Sequence, residues 1–204
     1  MTEQAIYQPS HKNTSLRQGE ILTNVTQYNV EPMAQLPDQP DVSLTTIPII
    51  HPYAIVVTQD CDLDWDYRAR TEKKHSTPSK FLNSVILCEV NTAEEVRNNA
   101  DNMNSKEWGL VASQRHERFY FFQKIHIDYE LQQKGLPELT ADFKKVFAID
   151  AAALYYQLNN GMALRRAILC SPYLEHFSRR YYCFHGRVAL PAQYESEKEN
   201  IVGS

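Results

Sequence analysis

The sequence predicts an α+β protein, mostly β, built as a small curled β-barrel with a C-terminal helical extension. Three observations predict it. Runs of β-branched and aromatic residues recur through the first three-quarters of the chain, and such residues suit a pleated, half-buried surface. Helical spacing takes over only after Asp150. Strands and helices do not alternate regularly, which argues against a doubly wound sheet.

The elements follow in order. Residues 1–15 are polar and aperiodic and read as a flexible N-terminus. A first strand runs from Leu16 to Val25. Pro32, Pro37, Pro40 and Pro48 mark residues 29–48 as a long loop. The second strand, Ile49 to Val57, ends in Thr58-Gln59-Asp60-Cys61-Asp62-Leu63. Extended backbone there would put Asp60, Asp62, Asp64 and Asp66 on one face. Phe81 to Val90 is a third strand, and Thr92-Ala93-Glu94-Glu95 has capping-box spacing for a helix over 93–104. Phe119–Phe122 and Lys145–Ile149 are two more strands, with a turn at Gly135-Leu136-Pro137. The barrel domain spans 16–150.

The helical extension spans 151–191, before a flexible tail over 192–204. Asp150 can cap Ala151 to Leu158, and Asn160-Gly161 ends that helix. Met162 to Cys170 reads as a second helical piece. Ser171-Pro172 starts a third, with Tyr173, Phe177, Tyr181, Phe184 and Val188 as one apolar stripe.

Composition bounds the function. The 204 residues are 43% apolar and 23% charged, as in an ordinary globular protein. No apolar run approaches the ~20 residues of a membrane span, and Met1 to Gln4 lacks signal-peptide features. Cys61, Cys88, Cys170 and Cys183 form no CxxC pair, so reduced thiols in a cytoplasm are expected. The net charge is −4, yet Gly161 to Arg187 holds five arginines against one acid, Glu175. That basic segment suits phosphate or an acidic partner; it equally suits the acidic body of its own chain.

Several residues carry candidate chemistry. His51, Asp60, Cys61 and Asp62 bracket the apolar strand and form a candidate catalytic group, with the imidazole as acid or base. Asp60 and Asp62 could share a hard cation such as Mg²⁺. The bland alternative pairs these carboxylates with Arg17 and Arg68. Cys61 needs a nearby cation to become a nucleophile, and its flanking aspartates oppose that. Arg115-His116-Glu117-Arg118 beside Phe119-Tyr120-Phe121-Phe122 suits single-stranded nucleic acid, where bases stack and phosphates pair with arginine. An exposed turn entering a core strand has the same composition. Cys183-Phe184-His185 could ligate a metal only if the helix ended there. Arg17, Arg115, Arg118, Arg179 and Arg180 are the candidate contacts to nucleic acid or a protein partner.

Gly19-Glu20-Ile21, His51-Pro52-Tyr53-Ala54-Ile55-Val56-Val57, Val85 to Thr92 and Asp142 to Asp150 together resemble the PemK/MazF family of bacterial growth inhibitors. The likeness covers about residues 16–155. It implies a Src-homology-3-like barrel and metal-free RNA cleavage by an arginine and a threonine, whose positions fall on His51 and Thr92. Histidine is not always charged and cannot make arginine's bidentate phosphate contact. Thr92 has the competing role of helix cap. The whole chain also resembles a bacterial group sharing Thr58 to Leu63 and Arg187-Val188-Ala189-Leu190-Pro191; this second resemblance implies no mechanism.

The function expected is binding of nucleic acid or a protein partner, including a second copy, in a toxin-antitoxin or phage-defence setting. A hydrolytic nuclease centred on His51, Asp60 and Asp62 is one alternative. A structural subunit docking through the stripe of its last helix is the other.

Overall fold

A computed structural model describes residues 5–31, 45–72 and 77–188. Its core is one antiparallel sheet of seven strands: β1 (Tyr7–Pro9), β2 (Glu20–Glu31), β3 (Thr45–Val56), β4 (Ser84–Thr92), β5 (Phe119–Phe122), β6 (Leu139–Asp150) and β7 (Leu164–Leu169). Their spatial order is β1-β7-β2-β3-β4-β6-β5. Five helices accompany them: α1 (Asp60–Thr71), α2 (Ala93–Asn99), α3 (Ser105–Ala112), α4 (Ala151–Asn159) and α5 (Tyr173–His185).

The expected closed barrel is corrected to an open sheet. Among the described residues no ladder joins β1 to β5. These edge strands have three and four residues, each paired on one side only. The sheet still curls, so Tyr7 on one edge and Phe122 on the other share one core. The Tyr7 hydroxyl donates to the Gln123 carbonyl at 3.1 Å across the gap. α5 seals the core that a barrel would enclose. Phe177 is fully buried, and its ring centre lies 5.1 Å from Tyr120, 5.8 Å from Phe143 and 5.9 Å from Phe122.

The other face carries a second core. Leu22, Ala54, Val56, Val85 and Leu87 pack there against Leu63 of α1 and Leu154 of α4. Alternation explains the division: Ile55 and Cys88 turn to the first core, their neighbours Val56 and Leu87 to the second. A third cluster joins Val96 of α2, Val111 of α3 and Phe119.

Local signals placed several elements where the sequence puts them. Thr92 forms a full capping box: Glu95 N–H donates to its hydroxyl at 3.2 Å, and Thr92 N–H donates to the Glu95 carboxylate at 3.0 Å. Asp150 caps α4 by accepting from Ala153 N–H at 2.8 Å.

Four local expectations are corrected. Asp60 to Thr71 is helix, not extended chain. The helix is sustained by Asp64–Arg68 and Asp66–Arg70 pairs at i,i+4, at 3.0 and 2.8 Å. Leu164 to Leu169, expected as helix, is strand β7, inserted between β1 and β2. The N-terminal segment contributes β1, with Tyr7 buried. The loop expected over 29–48 is shorter, because β2 continues to Glu31 and β3 begins at Thr45; its remainder, 32–44, lies outside the described residues, as do the tail 192–204 and Ala189 to Pro191.

The apolar stripe of α5 docks on its own sheet through Tyr173, Phe177, Tyr181 and Phe184, while Val188 lies past the helix end and is exposed. The structural-subunit reading therefore loses its docking face. Phe177→Ala should cost roughly 3–5 kcal/mol of stability by urea unfolding, since it empties the centre of an aromatic core. A loss under ~1 kcal/mol would show that α5 is dispensable to the sheet.

Candidate nucleic-acid interface

The proposed catalytic group is not assembled. His51 sits at the inner part of β3, and the five residues to Val56 span about 17 Å before the chain reaches α1. Asp60, at the first turn of α1, is held by Arg17 in a bidentate pair, Nε to Oδ1 at 3.0 Å and Nη2 to Oδ2 at 2.8 Å. It also accepts from Gln18 N–H at 2.7 Å. Asp62 is two residues along the same helix and so points away from Asp60. The helix thus removes the shared-cation geometry, and no group of three His, Cys, Asp or Glu among the described residues is arranged for a metal. Cys61 is exposed, with Sγ 3.8 Å from both Gln59 Oε1 and Asp62 Oδ1.

His51 is a packing residue. Its ring stacks on Phe147 at 3.7 Å and 8°, with Nε2 3.2 Å from Gln27 Oε1 and Nδ1 3.9 Å from Glu89. Burial pushes its pKa below the ordinary histidine value, Glu89 pulls it back up, and Lys145 pushes it further down. Burial raises Glu89 itself, but hydrogen bonds from Lys145 (2.8 Å) and Asn91 (3.0 Å) outweigh that and hold it lower.

The arginines separate into two kinds. Arg17 and Arg118 are consumed in bidentate pairs. Arg118 meets Asp142 through Nε to Oδ1 at 2.7 Å and Nη2 to Oδ2 at 2.5 Å, and it lies over the Phe119 ring. Arg180 reaches from α5 to the turn before β5, where it donates to the carbonyls of Gln114, His116 and Phe119. It is the bolt between two elements far apart in sequence. Arg179 beside it is exposed and has no hydrogen bond or ion pair among the described residues. The Arg115 side chain donates, among the described residues, only to Ser113 Oγ, at 3.1 Å.

By bolting the turn to α5, Arg180 gathers a basic band. One cleft of about 450 Å³ is lined by Arg115, Arg179, Arg180, His176 and Glu117, among others. A second, of about 420 Å³, is lined by Arg118, Lys144, His185, Arg187 and Phe184. Phe184 belongs to both, and the Arg187 guanidinium lies 3.6 Å over its ring. The one carboxylate lining the two clefts, Glu117, pairs with Arg187 at 3.1 Å. The local field is felt by His176: burial lowers its pKa, and Arg180 and Arg179 lower it further. His176 Nδ1 lies 3.2 Å from the Tyr120 hydroxyl, whose pKa burial pushes up to about 12.

Sequence reasoning named Arg115, Arg118, Arg179 and Arg180, and the structure brings these four to one region; Arg17 is elsewhere. Lys144 was not anticipated, and the basic segment that holds His176 and Arg187 was not connected to the 113–118 turn, because only the fold of β6 and α5 over that turn juxtaposes them. A cleft of about 1050 Å³, larger than either cleft of the band, lies between α1, α4 and residues 12–14. Its two arginines are neutralised, Arg70 by Asp66 at 2.8 Å and Arg165 by Glu20 at 2.6 Å. Volume favours that cleft, whose remaining lining cation is Lys12; the number of cations favours the band.

No family model, curated protein or solved structure matches this chain. No helix among the described residues is long and apolar enough to cross a membrane.

The depressed histidines carry a sign. A folded pKa below the unfolded value near 6.5 means that the unfolded chain takes up the proton first, so stability falls as pH drops below about 6.5. The melting temperature should decline between pH 7 and pH 5, with a shallower slope in His51→Gln. An identical slope in that variant would show that the imidazole titrates freely.

Proposed function

We propose that the protein binds single-stranded nucleic acid along the band formed by α5, the 113–118 turn and Lys144. One observation carries the reading: two adjoining clefts present arginine, lysine and histidine side chains around a shared aromatic ring, with a single carboxylate between them. Phosphates would engage Arg179, Arg115 and Lys144, whose charges no acid neutralises among the described residues. Such contacts release counterions, so affinity depends steeply on salt. Tyr182, 45% exposed on α5, offers aromatic surface of the kind on which a base stacks, while Phe184 and Tyr181 are packed into the sheet core.

The resemblance to PemK/MazF growth inhibitors supports RNA as the ligand and a toxin-like or phage-defence setting. In this reading the chain is a PemK-like relative that binds without cutting. The two positions that the resemblance would make catalytic have other work: His51 is stacked under Phe147, and Thr92 caps α2.

Arg115→Ala with Arg179→Ala should weaken binding of a labelled single-stranded oligonucleotide on the order of tenfold at moderate salt. It should reduce the slope of log K against log salt by about 0.7 for each phosphate that is no longer neutralised. The fold should be unaffected, since neither side chain holds another element. Arg180→Ala should instead lower the melting temperature by freeing the 113–118 turn. The proposal fails if the wild-type chain shows no salt-dependent retention of any oligonucleotide, or if the double variant binds unchanged.

A further inference from the structure

β2 and β3 continue past the sheet as a two-stranded arm. β7 pairs β2 only over Glu20–Thr23, and β4 pairs β3 only over Tyr53–Val56. Beyond those residues the two strands pair with each other alone, from Val25–His51 outward. The arm leaves the body at a corner: Leu22 and Val25, three residues apart, pack in the same core, with Asn24 between them at φ 58°. An isolated two-stranded hairpin is marginally stable in water.

One face of this arm is apolar and exposed. Tyr28 and Val30 on β2 sit beside Pro48 and Ile50 on β3, with Tyr28 58%, Val30 55% and Ile50 63% exposed. No charged side chain interrupts Asn24 to Val30 or Thr46 to Ile50.

The two outer edges of the arm differ. Gln157 of α4 stands in for a strand at Thr26: Thr26 N–H donates to Oε1 at 2.9 Å, and Nε2 donates to the Thr26 carbonyl at 2.7 Å. Thr26 therefore directs its main-chain groups outward, and so, two and four residues on, do Tyr28 and Val30. Opposite them on β3, Pro48 removes the outward donor, a common protection of sheet edges. The β2 edge has no proline, lysine or other charge over the same span. Among the described residues no strand pairs with it beyond Thr23.

We propose that this edge pairs antiparallel with the same edge of a second copy, about a two-fold axis at Asn29. That register sets Tyr28 against Val30 of the other copy, twice, forming four main-chain hydrogen bonds. Each meeting is an aromatic against a β-branched side chain, a favourable cross-strand pair. Both Gln157–Thr26 clamps stay in place. The arm's lack of charge matters: two copies that each carry −4 approach most easily through a neutral surface.

The test is sedimentation of the full chain across micromolar concentrations, with amide exchange at Tyr28 and Val30. A reversible dimer that slows exchange at both amides is expected. Val30→Pro repeats on β2 what Pro48 does on β3 and removes two of the four bonds, so the dimer Kd should rise about tenfold or more. Val30→Lys, which leaves the main chain intact, should do the same with an unchanged melting temperature of the monomer. A chain monomeric at every concentration overturns the proposal. So does a dimer that both variants leave unchanged, or a monomer that binds extended apolar peptides along this edge instead.

Discussion

Two adjacent arginines on one short strand hold the sheet in its observed order. Arg165 and Arg166 of β7 point to opposite faces, and each meets a carboxylate with no solvent exposure. Arg165 Nε lies 2.6 Å from Glu20, and Arg166 engages Glu130. Without β7 the edge strand β1 has no neighbour and β2 keeps only one of its two. The pairs reach further than the strand. Arg165 also donates to the carbonyls of Thr14 and Ser15, and Glu130 accepts from the main-chain N–H groups of Gln132, Lys134 and Gly135. Burial raises the Glu130 pKa, but Arg166 and those N–H groups outweigh it and keep the carboxylate ionised. Buried pairs of this kind gain little over apolar packing, yet breaking one costs roughly 3–5 kcal/mol because a bare charge stays behind.

The same logic sorts the arginines described above. A guanidinium locked on a carboxylate, as in Arg17–Asp60, Arg70–Asp66, Arg118–Asp142 and Arg165–Glu20, has little charge left to attract a ligand. Arg180 satisfies main-chain carbonyls instead, which do not cancel its charge, so it both joins two elements and adds to the potential around them. The basic band follows from that one side chain. It concentrates unneutralised charge where the overall charge of the chain is negative.

The arm shows what happens where the sheet runs out of partners. Inside the body each strand of the sheet's centre has two neighbours and both faces are covered by helices. Past Thr23 and Tyr53 the second neighbour is lost, and beyond Val25 and His51 the arm is largely exposed; the chain has met the problem differently on its two edges: proline on β3, a glutamine clamp at a single residue of β2. An exposed, uncharged apolar face of this kind is a mark of an interaction surface.

Much of the local structure was legible in residue order. Thr92 and Asp150 announced their helices because a cap depends on residues three apart, and the Tyr173/Phe177/Tyr181/Phe184 stripe announced α5 by its spacing. The i,i+4 pairs Asp64–Arg68 and Asp66–Arg70 were equally local, and an alternating pattern of acids masked them. β7 was not legible. Two consecutive arginines read as a helix surface until Glu20 and Glu130, 145 and 36 residues away, are placed on either side. The candidate site divides the same way. Sequence determined which side chains carry positive charge and where α2, α4 and α5 begin. Only the tertiary structure decided which charges are cancelled, because cancellation needs a carboxylate brought from elsewhere in the chain, and neither spacing nor composition encodes that distance.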